Sequence, residues 1–270
     1  MRAVILVDNI PAKGLEAEWG LAIHITHEDH TILLDTGASD RFLRNANDLG
    51  LDLDQVECGV LSHAHYDHAD GMDAFFRCNH HAPFYLQASC EENCFHHLEG
   101  DYVYDGIRPG TLETWRDRIR FVSGPHTLFP GVTLLPHTTP GLEQRGIQAA
   151  MYRKTPAGWV PDNFSHEQSL IFQTEQGLIV FNSCCHGGAD TILKEAAQAF
   201  PGEPLYAIVG GFHLFETPEE EVRVFARRVA DTGVRHVVTG HCTGEAAIPI
   251  LREVLGDKVQ QFSTGLVLDF

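Results

Sequence analysis

The sequence is short of cations. Lysine and arginine together number 19 against 37 aspartates and glutamates, a formal net charge of -18 over 270 residues. Nucleic-acid binding rests on Lys and Arg neutralising phosphates, so such a surface argues against a nucleic-acid partner. A small anionic substrate is still compatible, because bound metal ions reverse the local sign inside a site. Long apolar runs are missing too. No stretch approaches the roughly 20 apolar residues that span a bilayer, so no membrane partner is expected. The opening run Met1-Arg2-Ala3-Val4-Ile5-Leu6-Val7 stops at Asp8-Asn9 and lacks a small-residue cleavage site. It reads as a buried first strand and not as a signal peptide, and a cytoplasmic protein is expected. The seven cysteines are odd in number, and their spacing gives no disulfide framework. Reduced thiols, buried or metal-bound, are the expectation. Neither a fixed-period repeat nor a low-complexity linker interrupts the chain.

What is present is enough apolar residue, 43% of the chain, for one large core, and an unusual supply of histidine, 17 residues. Short strands come first: Val4 to Val7, Gly20 to Ile25 and Thr31 to Asp35, the last two separated by the hairpin-like turn His27-Glu28-Asp29-His30. Arg41 to Leu49 has helical spacing, with Asp40 placed as N-cap. Val56 to Ser62 is a buried strand. Residues 78–120 are rich in His, Glu, Asp and Tyr with poor periodicity, and read as an insertion or lid of short helices and loops. Short strands return over Phe121 to Leu135. Ser169 to Phe172 and Gly177 to Phe181 read as a hairpin. Strands and helices then alternate: a helix over Ile192 to Phe200, a strand over Leu205 to Val209, a helix over Pro218 to Asp231 capped by Thr217, a strand over His236 to Thr239, a helix over Ile248 to Leu255, and a last strand near Leu266. One domain of two sheets with helices outside fits this order.

The sharpest signal is His63-Ala64-His65-Tyr66-Asp67-His68, directly after a buried strand. Imidazole and carboxylate suit zinc, manganese or iron. In extended chain i and i+2 point the same way, so His63 and His65 grip one ion, while the following turn aims Asp67 and His68 at a second. Asp35, at another strand end, is placed to orient a ligand histidine. Three further strand ends carry donors: Asn182-Ser183-Cys184-Cys185-His186-Gly187-Gly188, Gly210-Gly211-Phe212-His213-Leu214 and Gly240-His241-Cys242-Thr243-Gly244. Active sites of α/β folds gather at such ends. The glycines of the first turn also free backbone N–H groups to face an anion. His137 competes for one ligand place. Cys90, Cys94, His96 and His97 read as structural or incidental.

His63 to His68 matches His-x-His-x-Asp-His, and the chain resembles the metallo-β-lactamase superfamily. Within it the likeness is to the branch of 7,8-dihydropterin-6-methyl-4-(β-D-ribofuranosyl)aminobenzene-5'-phosphate synthase. That likeness runs through Leu34-Asp35-Thr36-Gly37, Asn45-Ala46, His166-Glu167-Gln168-Ser169-Leu170 and His241-Cys242-Thr243-Gly244. The resemblance implies an α/β fold, an αββα sandwich of two mixed sheets with outer helices, spanning 1–270 as one domain. It implies two divalent metal ions, Zn2+ first and Mn2+ or Fe2+ as alternatives, held by His63, His65, Asp67, His68, Cys184, His186 and His241. His137 is the alternative to His186. Asp67 and His213 are the implied catalytic residues, and His213, Glu167 and Gly187 the implied contacts to a small-molecule substrate. The expected reaction is hydrolysis of a small phosphoester-like or ester substrate by metal-activated water. The alternatives are a pterin-linked synthase and a non-catalytic metabolite sensor. His65 stands where the di-iron reductases of the superfamily usually have Glu, which argues against that chemistry.

Overall fold

The computed structural model describes residues 1–270. Its contacts divide the chain into two compact units. One comprises Met1–Ser123, Gly141–Glu167 and Ser263–Phe270; the other comprises Gly124–Pro140 and Gln168–Phe262. The fold is mixed α/β, as expected, and each unit builds one seven-stranded mixed sheet. None of the helices is long and apolar enough to cross a membrane.

The sheet of the first unit runs in the order Val267–Asp269, Arg2–Val7, Ala22–His27, His30–Leu34, Cys58–Val60, Phe84–Gln87, Ile119–Val122. Ala22–His27 and His30–Leu34 form the expected hairpin, with His27 opposite His30. From His30–Leu34 onward the strands are parallel. The parallel strands read as apolar runs because both faces are covered. Phe42, Phe75, Phe76 and Phe84 are buried in the core of this unit, and Gly59 lets the Phe84 ring lie against the backbone, where a Cβ would come within 2.1 Å of it. A smaller four-stranded sheet joins Gly158–Pro161, Met151–Thr155, Phe95–Leu98 and Asp101–Tyr104.

The sheet of the second unit runs Val259–Gln261, His236–Thr239, Leu205–Val209, Gly177–Phe181, Gln168–Thr174, Val132–Pro136, His126–Phe129. Its first four strands are parallel. They are joined through the helices Ala189–Ala199, Glu219–Ala230 and Ala247–Leu255. Glu219–Ala230 buries Val222, Phe225, Ala226 and Val229, the i, i+3, i+4, i+7 stripe of a helix with one covered face. The parallel arrangement puts three connecting turns at strand C-termini: 182–188, 210–214 and 240–244.

Three sequence expectations need correction. Residues 78–120 carry strands among their short helices and loops: they supply Phe84–Gln87 and the start of Ile119–Val122 to the main sheet and two strands to the small one. The strands are four residues each, too short for alternation to stand out among polar neighbours. Asp40 precedes the helix Arg41–Asp48 but makes no side-chain cap; its carboxylate goes to Arg44 at 2.7 Å instead. Thr217 is not the cap of the next-to-last helix. Pro218 is, with extended backbone at ψ 143°, and the helix starts at Glu219. Three glutamates then occupy its first turn, where the helix dipole favours them. The strand Val259–Gln261 was not anticipated.

Asn45 ties the first unit together. Its buried amide donates to Leu6 O and Glu16 O, both at 2.7 Å, and its oxygen accepts from Glu16 N–H at 2.8 Å. Asn45→Ala leaves these backbone groups unpaired, and we expect a loss of about 3 kcal/mol in urea unfolding. A loss below about 0.5 kcal/mol, the range of an ordinary surface change, would contradict this account.

Candidate metal centre

In the first unit the donor segment begins where the strand Cys58–Val60 stops. Asp35, at the end of the neighbouring parallel strand and wholly buried, receives three hydrogen bonds. Ser62 N–H donates to Oδ1 at 2.6 Å, Ser62 O–H to Oδ2 at 2.6 Å, and His68 Nδ1–H to Oδ2 at 2.8 Å. Because the Ser62 hydroxyl proton is committed to Asp35, its oxygen accepts from His63 Nδ1–H at 2.8 Å. One carboxylate thus fixes the tautomer of two imidazoles. Both carry their proton on Nδ1, which makes Nε2 the lone-pair nitrogen, the form that binds a metal.

His65 is in extended backbone, ψ 150°, just before the short helix Tyr66–Ala69. The His63 ring centroid lies 4.6 Å from that of His65 and 4.3 Å from that of His68. Asp67 Oδ2 is 3.5 Å from His68 Nε2. Burial pushes the His65 imidazole down to about 3, so it stays neutral. His68 goes the other way. Burial opposes its charge, but the carboxylates of Asp67 and Asp35 outweigh burial and hold it up to about 10. A positive charge between these two carboxylates is what the geometry favours, and a divalent cation meets that demand as a proton does. Gly71 closes the segment; a Cβ there would lie 2.2 Å from Thr36 O.

Behind His65 sits a group that the sequence reading missed. His166 Nδ1 accepts the Ala64 N–H at 3.1 Å, so its proton is on Nε2, which faces Asp162 Oδ2 at 3.2 Å and Cys94 Sγ at 3.7 Å. His65, Cys94 and His166 each offer a donor atom within 4.8 Å of the others. With Nδ1 already an acceptor, metallation of His166 at Nε2 would leave an anionic ring. We therefore read this cluster as support for His65 and not as a metal site. Cys94, read from sequence as structural or incidental, belongs to it in a structural role. Its signal was only the presence of His166 in a segment of family likeness.

In the second unit the turns at the strand ends carry the remaining candidates. Cys184, His241 and Cys242 are buried and offer donor atoms within 4.8 Å of one another. Burial pushes the Cys242 thiol up, but the Cys184 hydrogen bond and the neighbouring His241 and His213 outweigh it and hold it well below its ordinary value. The His186 and His213 ring centroids are 4.6 Å apart. Cys185, His213 and His241 all have left-handed backbone, at φ 49°, 50° and 49°, as does Asp35 at φ 58°. Four of the eight non-glycine residues with positive φ thus stand in the donor turns, where strain is tolerated because it aims side chains.

His137 is engaged elsewhere in this unit. Its Nδ1 pairs with Glu195 Oε2 at 2.8 Å, and Glu195 Oε1 accepts Thr138 N–H and Thr139 N–H, both at 2.8 Å. Burial works against the Glu195 charge, but His137 and these amides hold its carboxyl below the ordinary range. Gly187 lies against this ring: a Cβ there would be 2.4 Å from His137 Nε2. Glu167 is fully buried, its N–H donating to Phe164 O. All seven cysteines are free thiols.

The donor chemistry fits divalent metal ions: imidazoles whose Nδ1 is already engaged, carboxylate and thiol, all in buried positions. Asp35→Asn sets an amide against three donors, so we expect zinc affinity in a chelator competition to fall by about 10- to 100-fold. An unchanged affinity would remove Asp35 from this role. In chelator-treated protein, charged His68 stabilises the fold in full below pH 6.5, its unfolded value, and that contribution fades as pH rises to about 10. The stability gap between wild type and His68→Gln is therefore expected to narrow from pH 6.5 to pH 10 in urea titrations. A gap that widens would reverse the assignment.

With that geometry described, known proteins give it a family. The description "Metallo-beta-lactamase superfamily" matches residues 20–147. The 7,8-dihydropterin-6-methyl-4-(beta-D-ribofuranosyl)-aminobenzene-5'-phosphate synthase of Methanocaldococcus jannaschii is 25% identical over 248 residues, covering 88% of this chain and 84% of that protein. The crystal structure of a metal-dependent hydrolase of the beta-lactamase superfamily superposes with TM-score 0.85 at 28% identity, covering 100% of this chain and 99% of the other. Zn(2+)-bound PqqB from Methylobacterium extorquens, at 12% identity and TM-score 0.60, covers 100% of both chains and shares the fold. The donor motif, the fold and these likenesses agree: residues 20–147 match the metallo-β-lactamase superfamily, and the chain is similar in fold to a metal-dependent hydrolase of that superfamily.

Proposed function

We propose that the chain is a metal-dependent hydrolase of small anionic, phosphoester-like or ester substrates. The observation that carries this reading is the Asp35–Ser62 pair, which engages Nδ1 of His63 and of His68 and turns each Nε2 toward a cation or a proton. The proposed ligands of two divalent ions, zinc foremost, are His63, His65, Asp67 and His68 from the first unit, with Cys184, His186 and His241 from the second. His186 is the first choice and His137 the alternative: Glu195 holds His137 at Nδ1 and leaves its Nε2 as a donor nitrogen. The ions would supply Lewis acidity that activates water and offsets charge on the substrate oxygen.

The chain's own residues do the rest in this proposal. Asp67 orients the attacking water and accepts its proton at a carboxylate oxygen. His213 contacts the substrate or passes a proton to the leaving group. Gly187 and Glu167 are the further proposed substrate contacts, Glu167 from a fully buried position. The net charge of -18 supports a small substrate and no nucleic-acid partner.

A second reading is a synthase acting on a pterin, supported by 25% identity over 88% of the chain to a protein with that name. One assay separates the two. We expect the purified protein to hydrolyse members of a phosphodiester and ester panel, to lose at least about 100-fold in rate on chelation, and to recover with Zn2+. Full activity after complete metal removal would end the hydrolase proposal. A joined pterin product in mass spectrometry, with no hydrolysis, would favour the synthase.

A further inference from the structure

Cys242 has no part in the ligand set above, yet its surroundings are built around its sulfur. Cys242 Sγ lies 3.3 Å from Cys184 Sγ. The two residues are 1% and 3% exposed. The backbone N–H of His213 donates to Cys242 Sγ at 3.2 Å. Gly211 makes room: a Cβ there would lie 2.5 Å from that sulfur. His241, one residue earlier, offers a donor atom within 4.8 Å of both sulfurs.

Packing alone does not explain this arrangement. Cysteine S–H is a weak donor and sulfur a weak acceptor, so two neutral thiols in contact hold each other poorly. Two left-handed residues, His213 and His241 at φ 50° and 49°, sustain the geometry. Strain of that kind persists only where the surrounding structure enforces it, commonly at ligand sites. A backbone N–H aimed at sulfur stabilises a thiolate more than a thiol. Two sulfurs on one tetrahedral zinc, each at about 2.3 Å from it, sit roughly 3.8 Å apart. The observed pair needs to open by only about half an ångström to accept the ion.

We propose that Cys242 is a metal ligand alongside Cys184 and His241, so that the second unit holds one ion in a dithiolate–imidazole set. The proposal rests on the metal-dependent reading above and adds a donor to it. A soft set of this kind selects zinc over manganese or magnesium. It also makes that position a poorer Lewis acid than one held by imidazole and carboxylate, because two thiolates neutralise the ion's charge.

Cobalt substitution tests this without recourse to activity. Apoprotein loaded with Co2+ is expected to show a near-ultraviolet thiolate-to-cobalt charge-transfer band. The band should fall by about half in Cys242→Ser and in Cys184→Ser, and vanish in the double variant. X-ray absorption of the zinc-loaded wild-type protein reads the same point with no variant, as two sulfur scatterers in place of one. A full band in Cys242→Ser, or a single sulfur at the zinc edge, overturns Cys242 as a ligand and leaves the hydrolase reading intact. Failure of wild-type protein to bind Co2+ or Zn2+ at all overturns both.

Discussion

One carboxylate organises the candidate donors of the first unit. Asp35 is fully buried and could not stay ionised there without compensation, since an unpaired buried charge is among the costliest features a fold can carry. Its compensation is three donors at 2.6 to 2.8 Å. The same bonds determine which nitrogen of His63 and of His68 carries the proton. Stability and chemistry therefore share one set of contacts: what makes Asp35 tolerable inside the protein also makes the imidazoles ready for a cation. Thr36 extends the constraint, donating both N–H and O–H to His68 O, so that the backbone of the short helix is pinned to the strand end that supplies Asp35.

The second unit reaches a comparable result by backbone conformation. Its parallel strands end in three turns, and each turn is aimed by a residue in left-handed conformation: Cys185, His213 and His241. The apolar core beneath, from Ile192 and Leu193 to Phe225, Val229 and Leu251, is what holds such conformations in place. Among the proposed ligands, the carboxylate comes from the first unit and the thiols Cys184 and Cys242 from the second. A cation held by the first set keeps more of its charge for polarising oxygen, whereas one held by thiolates gives much of that charge up. Under the proposal of two ions, this division of donor types along the chain would divide the labour between them.

Much of this was legible in the sequence because it is written in local order. The apolar runs at Leu205–Val209 and His236–Thr239 have the lengths the structure shows, and Asp35 was recognisable as a partner for a ligand histidine from its place at a strand end. The cluster His63 to His68 is contiguous, so its chemistry needed no tertiary information. What was hidden depends on distant pairing. His166 reaches Ala64 across 102 positions and Cys94 across 72, with no sequence pattern to connect them. His137 has its carboxylate partner, Glu195, 58 residues on, a pairing that no local pattern announces. The caps failed for a different reason. Asp40 and Thr217 are residue types that cap well, but an arginine one turn away drew off the first, and the proline after the second moved the helix start.

The same distinction explains why the centre speaks clearly of metal and quietly of substrate. Ligands must converge on a point, so their types, tautomers and strained conformations are tightly constrained and can be read from geometry. Substrate choice falls to residues that merely line the approach, and one fold hosts many chemistries by varying them. In this chain the least periodic segments, within 78–120 and 141–167, pair to form the small sheet, where Tyr102 stacks on Trp159 with ring centroids 3.8 Å apart. Those rings hold each other and ligate nothing. A relative that kept Asp35, Ser62 and the histidines but altered these segments would keep its metals, and any change in what it acts on would have to arise outside the ligand set.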